Sequence, residues 1–226
     1  MKRIEIFISS RKDTRKERAV AERVIRSVAA EFALPISPSY SNWLRAPGEA
    51  VKAVGQGAIP LREGTLLLCP CFREYQDWSP EDSYREHIAN TGQFDLVLCL
   101  LWCRLGTKMG PNFSMPDGTE PKSATHYEIA WALDQRKRTP EFPALQVYRN
   151  RSIPVAPFEP KRERERLFEQ WDSAQACFEQ WGRDPAFAGA SSVYRNLGEF
   201  EELFRNRFRN YIVACLRDEL LQKRSL

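Results

Sequence analysis

Three short stretches of the chain carry side chains that could do chemistry together. The first holds Phe7, Ser9, Ser10 and Arg11, the second Trp102, Arg104, Gly106 and Thr107, and the third Thr125, His126, Tyr127 and Glu128. Between them they supply hydroxyls, guanidinium groups, an aromatic wall and one carboxylate. Each also has a plain structural role. Thr125-His-Tyr-Glu128 has the T-x-x-E form of a helix capping box, Ser9 and Ser10 suit a strand-end turn, Arg104 suits a surface ion pair, and Trp102 suits packing at a sheet rim. His126 is expected on the surface. Neither G-x-G-x-x-G nor G-x-x-x-x-G-K-[ST] occurs, so a dinucleotide fingerprint and a P-loop are both without support. Cys69-Pro70-Cys71 and the pair Cys99 and Cys103 match no zinc spacing, and no metal is expected.

The elements that must position these stretches are legible from periodicity. Residues 3–9, Arg-Ile-Glu-Ile-Phe-Ile-Ser, read as a buried strand. Thr14 and Glu17 form a second T-x-x-E signal, and Val20, Val24, Ile25, Val28 and Phe32 follow at helical spacing, predicting a helix over about 14–33. Strand, short turn and helix open an α/β unit. Asp95 to Trp102 is apolar on both faces, as a central parallel strand covered by helices must be, so Cys99 and Leu100 should both be buried. Further strands are expected near 65–72 and 144–148, and helices near 80–91, 124–137, 162–182 and 198–222. Residues 34–63, rich in Pro and Gly, read as a loop-rich stretch with one short helix near 47–54. In an open parallel sheet, ligands bind outside the carboxyl ends of the strands, and all three chemical stretches fall there.

The chain has 226 residues, 42% hydrophobic and 28% charged, which suits one soluble globular unit. The expected division is an α/β core over 1–150, with a helical C-terminal segment over 151–226 packed on it. No apolar run approaches the ~18 residues of a membrane span, and the N-terminus lacks a signal-peptide core. A cytoplasmic protein with six reduced thiols is the expectation. The net charge of +4, from 34 basic and 30 acidic residues, is mixed, so direct nucleic-acid contact is not expected.

Several of these segments, in their order, resemble the TIR-like domains found at the N-termini of bacterial STAND-type NTPases. The likeness rests on Ile6-Phe-Ile-Ser-Ser10 followed by Glu17-Arg18, Phe72-Arg73-Glu74 with Trp78, and Asp95-Leu-Val-Leu98. It continues through Trp102-Cys-Arg-Leu-Gly-Thr107, Thr125-His-Tyr-Glu-Ile-Ala130, and Tyr194 with Glu199-Phe200 before a long helix. It spans nearly the whole chain and departs from the pattern at an insertion over about 42–64. With no NTPase module after Leu226, an excised domain or a separately encoded effector is expected.

The resemblance implies a flavodoxin-like, three-layer TIR fold with a central parallel sheet and a long C-terminal amphipathic helix. In the catalytic branch of such domains, a glutamate on the helix after the third strand works in NAD+ cleavage to nicotinamide and an ADP-ribose product. Glu128 is the matching position. Phe7, Ser9, Ser10, Arg11, Trp102, Arg104, Thr125 and Tyr127 would then line the substrate site. NAD+ is substrate rather than cofactor in this scheme. The implied setting is antiphage defence, with activity after self-association and a STAND-type NTPase or other sensor as partner. Two other readings stay open: a non-enzymatic adaptor that only self-associates or docks, and a nucleoside 2-deoxyribosyltransferase-like enzyme whose glutamate attacks the sugar.

Overall fold

The computed structural model describes residues 2–37, 66–72, 94–106, 109–110, 112–154 and 160–224. The expected helices near 47–54 and 80–91, the insertion, the Arg73–Trp78 motif, His87 and Thr107 lie outside the described residues. Five strands form one sheet: β1 (Arg3–Ser9), β2 (Leu67–Phe72), β3 (Leu96–Leu101), β4 (Ala144–Asn150) and β5 (Ser191–Tyr194). Every neighbouring pair is parallel, and the order is β2-β1-β3-β4-β5. That is the flavodoxin-like order, whose switch point lies between β1 and β3.

Side-chain alternation along the strands builds two cores. Ile4, Ile6 and Ile8 of β1, with Leu96, Leu98 and Leu100 of β3, point to one face. There they meet α1 (Arg15–Glu31) and the last helix, α4 (Leu197–Arg224). Phe7, Val97, Cys99 and Leu101 point to the other face, under α2 (Ala124–Arg138) and α3 (Lys161–Gly182). Cys99 and Leu100 are both fully buried, as a central strand requires.

Helices α1 and α4 run side by side in the same direction. Arg23 pairs with Glu201 at 2.6 Å, Arg205 donates to Ser27 at 2.9 Å, and Arg209 pairs with Glu31 at 2.6 Å, repeating every four residues on both helices. These exposed contacts contribute little energy. The holding force is the row beneath, Phe200, Phe204, Phe208 and Ile212, each 0% exposed. Tyr148 of β4 sets its ring edge against Phe200 and Phe204, at centroid distances of 5.3 and 5.6 Å.

Two expectations are corrected. The strand β5 was not anticipated, and it puts a sheet element inside the C-terminal segment read as helical. The capping box at Thr14 and Glu17 does not form: the Thr14 side chain bonds the Arg11 backbone instead. Glu17, buried, crosses to the far strands, where it accepts from Asn150 Nδ2 at 3.2 Å and from the Tyr194 hydroxyl at 3.1 Å. Asn150 in turn accepts from Ser152 N–H and Oγ–H. Burial, with the Glu17 carboxylate beside it, holds the Tyr194 phenol above its ordinary pKa, so it stays a donor. Tyr194→Phe takes one donor from a buried carboxylate and should cost about 1–3 kcal/mol in urea unfolding. An unchanged midpoint would show that this network ties nothing together.

Candidate functional site

Among the described residues, five side chains meet at the carboxyl edge of the sheet at the β1/β3 switch point. Ser9 is the last residue of β1 and lies two positions beyond Phe7, so it faces the α2 side. Its register partner on β3 is Cys99, on the same face. Glu128 descends on them from the second turn of α2, and the Ser9 hydroxyl donates to its carboxylate Oε2. Ser9, Cys99 and Glu128 are all buried, and Glu128 is 0% exposed. Thr125 is three residues before Glu128 and shares its helix face. Its hydroxyl accepts from both Nε and Nη2 of Arg11, at 3.1 and 2.9 Å.

Arg11 can lie here because Gly106 has no side chain. Gly106 adopts φ +103°, and a Cβ there would stand 2.2 Å from the Arg11 Cζ. Three loop ends thus meet at one guanidinium: the exit of β1, the exit of β3, and the start of α2.

Burial, and then the Glu128 carboxylate, push the Cys99 thiol well above its ordinary pKa, against the opposing pull of Ser9 and Arg11. Cys99 is therefore a neutral thiol and no nucleophile. Glu128 supplies the carboxyl oxygens of the group. It can stabilise a neighbouring positive centre or accept hydrogen bonds from sugar hydroxyls.

The helix start is corrected too. Ser123, with extended backbone, caps α2 by accepting from the His126 N–H at 3.1 Å. Thr125 lies inside the helix, so the Thr125–Glu128 capping box does not exist and Glu128 is no cap. His126, expected on the surface, is buried, with its ring 5.9 Å from that of Trp181. Its Nδ1 accepts from the Lys122 backbone N–H at 3.2 Å, which requires a neutral ring. Burial, then the Lys122 charge, lower its pKa, with Asp117 opposing. The unfolded chain therefore takes up this proton near the ordinary value of about 6.5, and the folded protein only at lower pH. Stability should fall as pH drops below that ordinary value, levelling off below the folded pKa. We expect His126→Gln to flatten the fall of the urea midpoint between pH 7 and 5. Equal slopes for the two proteins would remove His126 from the account.

The remaining expected site residues divide. Phe7 is buried on the Glu128 face, with its ring 5.1 Å from that of Phe94. Ser10 accepts from the buried Arg18 at 3.3 Å, on the α1 side. Trp102 turns its indole N–H to the Ser152 carbonyl at 2.8 Å, tying the β3 exit to the β4 exit. Tyr127 is buried but one helix step from Glu128, edge-on to Phe113 at 5.8 Å. Arg104 is exposed, and the guanidinium reaching this site is that of Arg11. Cys99, beside Glu128, and the Asp13–Cys103 contact at 3.2 Å went unread in the sequence. The period-2 pattern of β3 places Cys99 and Val97 on one face and could have signalled the first.

Fold and site together define a flavodoxin-like α/β protein with a buried carboxylate at its switch point. Compared with protein-family models, curated proteins and solved structures, the chain matches none. Among the described residues no cluster of His, Cys, Asp and Glu could hold a metal, and no helix is long and apolar enough to cross a membrane.

Proposed function

We propose that this protein is a TIR-like effector that cleaves NAD+ to nicotinamide and an ADP-ribose product. One observation carries the reading: the Ser9 hydroxyl lies on the Glu128 carboxylate at the carboxyl edge between β1 and β3. That is where an open parallel sheet binds ligands, and Glu128 is the position that the resemblance implies for catalysis. In the reaction, the bond from ribose C1′ to the nicotinamide nitrogen breaks and its electron pair neutralises the departing pyridinium. Positive charge develops on the ribose, where a carboxylate stabilises it. Water then adds at C1′ and loses a proton. The leaving group departs neutral, so no partner acid is needed. Ser9 orients the carboxylate, while Phe7, Arg11 and Thr125 lie at the same edge of the sheet. The proposed setting is cytoplasmic, with self-association or a STAND-type NTPase sensor raising activity.

A second reading, a non-enzymatic interaction module, is favoured by the complete burial of Glu128. A carboxylate wholly enclosed by its own fold acts as a structural group unless the enclosure opens. Nicotinamide release from NAD+ by concentrated protein, wild type beside Glu128→Gln, separates the two. Release that depends on Glu128 supports the enzyme, and no release at any concentration leaves the module. Deoxynucleoside exchange through a covalent glycosyl-Glu128 would instead mark the transferase-like reading.

A further inference from the structure

We infer that Arg149 and Arg151, at the exit of β4, form a phosphate-binding pair that takes the diphosphate of the nucleotide substrate. The identity of the ligand rests on the enzymatic reading above; the anion-binding chemistry does not. Arg149 lies two positions beyond Val147, on the sheet face that α2 and α3 cover. Its guanidinium carbon stands 4.6 Å from the centre of the Phe178 ring on α3. That stacking holds the fork in place but leaves its donors unused, and the Nε is buried with no hydrogen-bond partner. An unmet buried donor costs stability. Arg151 follows, exposed, with its backbone N–H tied to the Tyr194 carbonyl at 2.8 Å. The two charges repel: burial and then Arg151 lower the Arg149 pKa, with Glu179 opposing. Among the described residues no carboxylate forms an ion pair with either guanidinium. Two like charges side by side without an acid, one with an unmet donor, are completed by an anion, and the arginine fork matches phosphate oxygens in pairs. The placement suits the reaction. Ser9 is in register with Cys99, and Cys99 with Val147, so Arg149 is two strands across from Ser9 and two residues further along. That puts their Cα atoms roughly 12 Å apart. A ribose 5′-phosphate met by an arginine side chain spans that gap, with the ribose at Glu128 and the diphosphate at β4.

The test is calorimetric titration and thermal melting of the full chain with inorganic pyrophosphate and, separately, with ADP-ribose, at constant ionic strength. The wild type should bind both and melt at a higher temperature with each. Arg149→Gln and Arg151→Gln should each weaken binding by at least about tenfold, the factor that one charge-assisted hydrogen bond corresponds to. Without ligand, Arg151→Gln should melt no lower than the wild type, because it relieves the repulsion. Arg149→Lys keeps the charge and loses the fork, so it should bind more weakly than the wild type while keeping a native melting curve. No pyrophosphate binding by the wild type, or equal binding by all four proteins, overturns the site. A lower melting temperature in Arg151→Gln with unchanged affinity makes the pair structural and overturns it too. Nicotinamide release is measured separately on the same proteins, from NAD+ and from nicotinamide riboside, which lacks the diphosphate. The variants should raise KM for NAD+ more than for the riboside. Pyrophosphate binding that depends on both arginines, with no release by any protein, keeps the phosphate site and removes the enzymatic reading. Release from NAD+ with the same KM in the wild type and Arg151→Gln does the reverse.

Discussion

Truncation before Glu199 is expected to yield an insoluble chain that does not fold. The segment removed contributes Phe200, Phe204, Phe208 and Ile212, all completely buried against β1, β3 and β4. Burying each such side chain stabilises by roughly 1.5–3 kcal/mol, so the four together reach about 6–12 kcal/mol. That is comparable to the entire stability of a domain, about 5–15 kcal/mol. The loss also bares the aliphatic face of the sheet, an aggregation hazard. A graded version tests the same packing: Phe204→Ala should cost about 3–5 kcal/mol and lower the melting temperature by roughly 6–20 °C. Leu220→Ala, at a position 63% exposed on the same helix, should stay within about 0.5 kcal/mol. If residues 1–198 fold and stay monomeric by light scattering, the helix is an appendage.

The features legible in the sequence are those in which local pattern and tertiary role agree. β3 is apolar at six consecutive positions because helices cover both its faces, and all six are buried. α1 and α4 show their stripes because a single face of each packs on the sheet. Position 128 was singled out by the resemblance, while the local T-x-x-E pattern read it as a helix cap, which the structure does not form. The failures have the opposite character. β5 has four residues and only Tyr194 is buried, so no alternating apolar pattern marks it. Glu17 carries a local helix-start signal, yet its partners lie 133 and 177 residues away. Arg11 finds Thr125 across 114 residues. At the start of α2, Ser123 and Thr125 are chemically equivalent as caps. The extended backbone at Ser123, φ −165°, decides between them, and no residue type encodes it. For Glu17 and Arg11, the sheet topology brings a distant partner to the side chain.

The same competition between local and distant partners makes Glu128→Gln the most informative substitution. Glutamine keeps the volume of glutamate and can still bond the Ser9 hydroxyl, through its amide oxygen as acceptor or its nitrogen as donor. The fold should therefore be retained, with a melting temperature close to that of the wild type. The substitution removes the negative charge, which is what a ribose developing positive charge requires. Loss of one such preorganised electrostatic group typically costs about 10²–10³ in rate, so nicotinamide release should fall by at least that factor. Glu128→Ala makes a useful contrast. It leaves the buried Ser9 hydroxyl without its carboxylate partner and opens a small void, at a cost of about 1–3 kcal/mol. A purely structural glutamate predicts that alanine destabilises and that neither variant changes any chemistry. A catalytic one predicts that glutamine, with a native melting curve, is as inactive as alanine. Melting temperature and nicotinamide release measured on the same two proteins separate these outcomes. A glutamine variant that cleaves NAD+ at the wild-type rate would reduce Glu128 to a packing residue held in place by Ser9.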